Sequence, residues 1–352
     1  MNASIKTQLE ALVRAGEVVQ GGDFAGADLA GASLAGGIFE GVSFRGANLG
    51  GATFKESVFT GCDLSGVDLR SADLHAVTLR TTSMREVNAD GAVAYGLTVL
   101  DSDLAASRWE RAELERATFM QSDLTGAAFG RAGLLRTCFS ESKTDAARFG
   151  GCVFEQTVFM EADLSKADLS GASAKRAVFI KCSLSGQDLS GASLLESQLM
   201  ECELFAIDLR GATLATCGFK GAWLQEARLD EVTAPQCVFV EATLVDANLT
   251  RAQLCRCLFA GATLSGANLS GADLREANLS DTVCDGALFV GADLSYADLS
   301  RAGLTGADLS QATLERARLH RIKDGGAIFT SRLGAWGDDA DLAAAEAWKP
   351  TL

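Results

Sequence analysis

The hydrophobic pattern of the chain has a period of five: a small apolar residue, a polar residue, a large apolar residue, then two small or polar residues. In Gly261 to Ser280, which reads GATLSGANLSGADLREANLS, Leu264, Leu269, Leu274 and Leu279 are the large positions. Ala262, Ala267, Ala272 and Ala277 stand two places before them. The frame runs without insertion or deletion from Phe24 to Leu319, as 60 units of which 51 have Leu or Phe at the centre. The other nine centres are Met84, Ala89, Ala94, Val99, Trp109, Thr144, Ala174, Ala234 and Cys284. A helix would spread such residues around its circumference, and a flat strand would put them on alternate faces. A chain that turns a corner every five residues keeps both the centre and the small residue two before it inward. Gly, Ser, Asn and Asp after the centre suit those corners.

The phenylalanines indicate how many corners close a coil. When every fourth unit is assigned to the same column, nine of the 17 Phe residues on the frame fall in one of the four columns. They are Phe39, Phe59, Phe119, Phe139, Phe159, Phe179, Phe219, Phe239 and Phe259. Four units therefore make one turn, and like residues stack on like. The expectation is a solenoid of square section, with coils about 4.8 Å apart.

The units Ala27-Asp28-Leu29 and Ala307-Asp308-Leu309 resemble those of the pentapeptide-repeat family, and the resemblance covers about 300 of the 352 residues. It implies an all-β fold, a right-handed quadrilateral parallel β-helix with the central Leu or Phe inward. About 15 coils are expected, with short helical caps at both ends. The motif is structural, so it specifies fold far better than function.

Three segments are expected: a helical cap over 1–21, the solenoid over 22–320, and a C-terminal cap with a short helix over 321–352. In the first, Ile5, Leu9, Leu12 and Val13 form a helical apolar stripe, with Ser4 as N-cap. Such a helix would cover the first coil, whose open edge otherwise invites stacking by another molecule. In the last, Asp338 or Asp339 would start a helix ending before Pro350. Residues 81 to 100 are the weakest stretch, but Val87 and Leu97 enlarge sites normally filled by Ala, so exchanged volumes can fill the same core. A bulge or bend is the alternative. Thr144, between Lys143 and Asp145, is a second irregular place.

Apolar runs are too short to span a bilayer. The N-terminus lacks an apolar signal segment, so export is not expected. Ten Cys residues could suggest disulfides or, at Cys217, Cys237 and Cys257, a soft-metal site. Their positions, including Cys182 and Cys202, are those of the small inward Ala, and buried reduced thiols in a cytoplasm are the reading preferred here.

No catalytic motif emerges. His75 and His320 are the only two His residues, too far apart for a metalloprotease pair, and there is no phosphate-binding loop. A core of stacked Leu and Phe leaves no cavity for a substrate. The expectation is a protein that is not an enzyme and needs no cofactor or metal.

The surface then carries the function. Net charge is −15, and the four columns carry −7, −2, −2 and −2. The −7 column contains Asp23, Asp63, Asp103, Asp123, Glu203, Glu226, Asp246 and Asp285. The family resemblance implies one use for an acidic rod, because quinolone-resistance members mimic duplex DNA and bind DNA gyrase. Fifteen coils would span about 72 Å, a length over which B-DNA carries roughly 42 charges, so the match in charge density is poor. Direct nucleic-acid binding is disfavoured by sign.

The Phe column differs. Its outward positions include Val158, Met160, Val178, Ile180, Met200, Val238, Val240 and Leu258, an expected apolar stripe about 25 Å long. Strand propensity alone would put β-branched residues there, but a contiguous patch marks an interface. The resulting reading is a rigid scaffold or adaptor for other proteins. The resemblance implies a bacterial source, and an accessory role in type VI secretion is one specific case. A gyrase-directed mimic is the alternative. The resemblance also implies a homodimer through the C-terminal end, with Phe329, Leu333, Trp336 and Trp348 as contact residues; capping within the chain is the competing use of these four.

Overall fold

The structure is a computed structural model that describes residues 4–348; Pro350 lies outside the described residues. The chain forms two compact units, Met1–Ser183 and Leu184–Leu352.

Unit 1 opens with helix α1, Ile5–Arg14, whose N-cap Ser4 accepts a hydrogen bond from the Thr7 N–H at 3.2 Å. The helix sits on the first coil. Glu10 Oε1 accepts from the Ser33 N–H at 2.9 Å, and Lys6 Nζ donates to the Ala30 carbonyl at 2.6 Å. Of the apolar stripe only Leu9 and Val13 are buried, while Ile5 and Leu12 face solvent. A helix on the end of a narrow coil touches it along one line, so half the stripe has no surface to cover. Eleven three-residue strands follow: β1 Val18–Gln20, β2 Ile38–Glu40, β3 Val58–Thr60, β4 Thr78–Arg80, β5 Thr98–Leu100, β6 Thr118–Met120, β7 Cys138–Ser140, β8 Val153–Glu155, β9 Val158–Met160, β10 Ser173–Lys175 and β11 Val178–Ile180. Strands β1 to β7, β9 and β11 pair in that order in a parallel sheet. From strand to strand the register advances by four units of the frame, one full coil, as in Phe39↔Phe59 and Phe119↔Phe139. Strands β8 and β10 pair on a second side with the same offset, as in Ala174↔Phe154, and elsewhere the coils are joined by single parallel bridges such as Asn48↔Asp68.

Unit 2 has fewer regular strands: β12 Leu194–Leu195, β13 Gln198–Met200, β14 Asp308–Leu309 and β15 Ile328–Phe329. Its coils keep the same one-coil offset through bridges such as Thr243↔Thr263 and Val238↔Leu258. Helix α2, Ala340–Ala347, closes the described chain, with Asp339 as N-cap.

At most corners the carbonyl of a centre accepts from the N–H three residues on, as in Ala27 to Phe24 at 3.1 Å, whereas the corners after β1 to β7 and β9 are bends without that bond. The residue two after the centre has positive φ, the feature of a type II turn. The sequence pattern predicts Gly, Ser, Asn or Asp there, yet of the 36 described non-Gly residues with positive φ only Ser71, Asp101, Asp246 and Asp281 are of those types, and the others include Glu56, Arg116 and Gln236. The left-handed conformation costs roughly 1–2 kcal/mol per residue. It is offset because the same N–H groups bond to the next coil, as in Glu56 to His75 at 2.8 Å and Gln236 to Cys255 at 3.0 Å. Long charged side chains are tolerated because they leave the corner into solvent.

The core is built from the centres and the residues two before them, nearly all of them buried. In unit 1 the rings of Phe119, Phe139, Phe159 and Phe179 stack at 5.1, 4.9 and 5.2 Å. In unit 2 Phe219, Phe239 and Phe259 stack at 4.9 and 4.8 Å. Such pairs add about 0.5–1.5 kcal/mol each beyond burial.

The weak stretch closes without a bulge. Met84, Val87, Ala89, Ala94, Leu97 and Val99 are all buried, and the one-coil offset continues through Ser83↔Asp103, Asn88↔Arg108 and Val93↔Glu113. Thr144 is buried too, with Oγ1 donating to the Asp163 carbonyl at 2.6 Å. Trp109, a centre larger than any other, is accommodated by a polar residue at the small site, since its Nε1–H donates to Ser107 Oγ at 3.0 Å.

Candidate protein-binding surfaces

In unit 1 the parallel sheet presents two outward rows, one on each side of the buried centres. Val158 pairs with Val178, and Met160 with Ile180; all four are half-buried. The rows extend further than the sequence pattern suggests, through Ser140↔Met160, Met120↔Ser140 and Leu100↔Met120. Across β5, β6, β7, β9 and β11 the ten outward residues are Thr98, Leu100, Thr118, Met120, Cys138, Ser140, Val158, Met160, Val178 and Ile180, and none is charged. Leu100 and Met120 become legible only when the four-unit period is followed back through the outward positions as well as the centres.

In unit 2 the corresponding side chains are Met200, Val238, Val240 and Leu258. The first three are half-buried, and Leu258 is exposed. Val238 and Leu258 are bridge neighbours, but Gly218 precedes Val238 in that row. The apolar surface of unit 2 is therefore less continuous than that of unit 1.

The acidic column divides into two kinds of carboxylate. In unit 1 the carboxylates of Asp23, Asp63, Asp103 and Asp123 each accept from the N–H two residues on, at 3.0, 2.9, 3.0 and 2.9 Å. They brace corners. At Asp63 and Asp123 burial raises the pKa, but hydrogen bonds from Ser65 and Thr125 outweigh it, so both titrate below the ordinary carboxylate value. Their row is broken by Ser43, Ser83 and Lys143, and Arg85 Nη1 reaches Asp103 at 2.8 Å. In unit 2 Asp285 accepts from the Thr305 N–H at 3.1 Å. Glu203, Glu226 and Asp246 are exposed and, among the described residues, have no basic partner within salt-bridge distance.

Phe329 is half-buried, with Arg332 over its ring at 3.9 Å, and Trp336 is exposed beneath Arg318 at 5.8 Å. Leu333 and Trp348 are 91% and 72% exposed. These four side chains therefore do not form a packed internal cap.

All ten Cys are free. Buried Cys152, Cys237 and Cys257 donate from Sγ to the carbonyls of Phe129, Leu214 and Ala234 at 3.0, 2.7 and 2.9 Å. Cys217 does the same to Leu194. Ser57 and Thr157 use the equivalent carbonyls at 2.8 Å, so a thiol is one of several small donors that fit this site. Burial pushes Cys217 up to about 12 and also raises Cys237, whose largest influence is its neighbour Cys257. Thiols held protonated are poor metal ligands. Among the described residues no group of three or more His, Cys, Asp or Glu could hold a metal ion, and no helix is long and apolar enough to cross a membrane.

Coils of four five-residue units, a corner at each unit and a filled interior define a pentapeptide-type parallel β-solenoid. The family model "Pentapeptide repeats" matches in eight copies, at 23–61, 47–86, 62–93, 145–173, 167–204, 222–259, 257–295 and 282–321. The chain belongs to the pentapeptide-repeat family. Among solved structures it is similar to trypsin-treated QnrB1, a plasmid-mediated fluoroquinolone resistance protein, at 17% identity and a TM-score of 0.34, over 56% of this chain and 90% of that one. It is also similar to HetL, involved in heterocyst differentiation regulation in the cyanobacterium Nostoc sp. strain PCC 7120, at 23% identity and a TM-score of 0.21, over 83% and 87%. A third is the A-module of the mannuronan C-5 epimerase AlgE4 from Azotobacter vinelandii, at 9% identity and a TM-score of 0.31, over 95% of each chain. Among curated proteins none matches the chain in sequence.

Proposed function

We propose that the chain is a non-enzymatic scaffold that holds another protein against the flat sheet face of unit 1. The observation that carries this reading is the absence of charge from ten consecutive outward positions of β5, β6, β7, β9 and β11 in a chain with 22% charged residues. Strand propensity accounts for Val and Thr in such a row. It does not account for Leu100, Met120 and Met160, whose unbranched or γ-branched side chains suit an adaptable interface better than a pleated edge. A rigid solenoid is pre-organised, so binding costs little ordering of the scaffold itself. Val240 and Leu258 of unit 2 would serve a contact of the same kind. A bacterial, cytoplasmic adaptor, such as an accessory of type VI secretion, is the specific case the family resemblance suggests.

The test is capture of partners from the native cell lysate, with identification of what is retained. Replacing Met160 and Ile180 by Glu, with Val240 by Lys, is expected to abolish capture while circular dichroism keeps its β signal. Undiminished capture by that folded variant would overturn the reading. A gyrase-directed mimic is less well supported, because the acidic row of unit 1 is interrupted and engaged in bracing corners. Reversing Asp63, Asp103 and Asp123 distinguishes it, since only a mimic would then lose inhibition of DNA supercoiling.

A further inference from the structure

Phe205 is the one Phe of the 18 that lies off the five-residue frame. It is 48% exposed, and Trp223 of the next coil is 54% exposed. The two rings line an open cavity of about 510 Å³ within unit 2, together with Glu203, Gln225, Glu226 and Asp246. Glu203 and Trp223 are bridge neighbours, and the Glu226 N–H donates to the Val245 carbonyl at 3.0 Å. Carboxylates and rings are therefore mounted on rigid coil backbone.

Elsewhere four of the described surface aromatics carry an arginine of the same chain, Trp348 being an exception. Arg116 lies over Tyr95 at 5.5 Å, Arg316 over Tyr296 at 5.5 Å, Arg318 over Trp336 at 5.8 Å and Arg332 over Phe329 at 3.9 Å. At Tyr296 the arginine comes from the ladder position one coil on. The ladder neighbours of Trp223 are Glu203 and Thr243, so neither supplies a cation, and the rings are surrounded by the three carboxylates without basic partners described above. An indole face beside carboxylates is electrostatically complementary to a guanidinium, which stacks on the ring and pairs with the acid at once.

We propose that this cavity receives an arginine side chain from an extended basic segment of a partner protein. The proposal rests on the scaffold reading above and adds to it a second contact of different chemistry. Paired tryptophan and arginine anchors commonly carry most of the energy of such contacts.

The full-length protein is titrated with fluorescein-labelled hexa-arginine, hexalysine and hexaglutamate peptides, followed by anisotropy. Saturable binding of hexa-arginine is expected, weaker binding of hexalysine and none of hexaglutamate. Trp223→Ala is expected to weaken hexa-arginine about tenfold, between the values for an exposed and for a desolvated cation over an aromatic face. The pair Glu203→Gln and Glu226→Gln is expected to weaken it similarly and to flatten its salt dependence. A control removing as much charge elsewhere, Glu40→Gln with Asp101→Asn, should change affinity less than twofold. Equal loss in the control, equal or tighter binding of hexalysine, or no saturable binding of hexa-arginine each overturns the proposal. Saturable quenching of tryptophan fluorescence by tetramethylammonium, without peptide binding, also overturns it, in favour of a small-cation site. If the peptide fails while the variants of Met160, Ile180 and Val240 still lose their partner, the scaffold reading survives without this contact.

Discussion

The backbone N–H of Asp339 donates to Nδ1 of buried His320 at 3.1 Å. Nδ1 is therefore an acceptor, and the proton of the neutral ring sits on Nε2, 3.4 Å from Glu346 Oε2. One imidazole thus joins the N-cap of α2 to the last turn of the same helix. Glu346 also pairs with Arg301 at 2.9 Å and Arg321 at 2.6 Å. Helix α2 has eight residues and none of them is buried, so polar contacts replace the apolar stripe that would normally dock it, and alone it would be marginal.

Replacing Glu346 by Gln is accordingly expected to release α2. Hydrogen exchange of the amides in 340–347 should speed up roughly tenfold, the effect of removing a few charge-assisted hydrogen bonds. Exchange in the coils of unit 2 should not change. Unaltered protection of α2 would show that it is held by something else.

Trp109 and Ser107 make a matched pair in the core of unit 1. Trp109→Ala should cost about 3–5 kcal/mol in urea unfolding, because a stacked coil on either side limits collapse of the cavity. Ser107→Ala leaves the indole N–H buried without its acceptor and should cost about 1–3 kcal/mol. The double variant should cost less than the sum, since removing the indole also removes the need for the hydroxyl.

Asp208 is clamped by two guanidiniums. Arg210 donates from Nε at 2.9 Å and Nη2 at 2.7 Å, and Arg228 Nη1 approaches to 3.1 Å. The hydrogen bond from the Arg210 side chain is the main reason that the Asp208 carboxyl is held below its ordinary value of 3.8. A depressed folded value means that the stabilisation is complete above 3.8 and is lost as pH falls through the lower, folded value. Asp208→Asn should therefore destabilise by about 1 kcal/mol at neutral pH. The gap between variant and parent should close on acidification below 3.8. A gap independent of pH would mean that the contribution is not ionic.

Burial raises the thiol of Cys152 to about 11 and those of Cys217 and Cys284 to about 12, from 9.0. At the upper value a thiol carries about a thousandfold less thiolate than an ordinary one at any pH well below 9.0, and the thiolate is the nucleophile. In mildly alkaline buffer these three should resist iodoacetamide in the folded protein and react on unfolding in urea, as followed by peptide mass spectrometry. Rapid native labelling of Cys217 would contradict the packed interior.

The five-residue pattern by itself determined the architecture. Period and inward positions follow from where Leu, Phe and Ala recur, and the stacking of every fourth unit follows from the Phe column, because burial of side chains is written directly into composition at fixed spacing. The central Leu and Phe, the cap at Ser4 and the exchange of volumes near Val87 and Leu97 were all legible in this way.

What only the tertiary structure decided lies outside the core. Glu56, Arg116 and Gln236 adopt a backbone conformation their side chains disfavour, because the ladder between coils supplies the compensating bond and no local signal records it. The same holds for surfaces. Leu100 and Met120 join Met160 and Ile180, and Phe205 and Trp223 come to line one cavity, only after successive coils are laid side by side. Residues one coil apart become neighbours through stacking, and their outward chemistry is not constrained by the pattern that makes them stack.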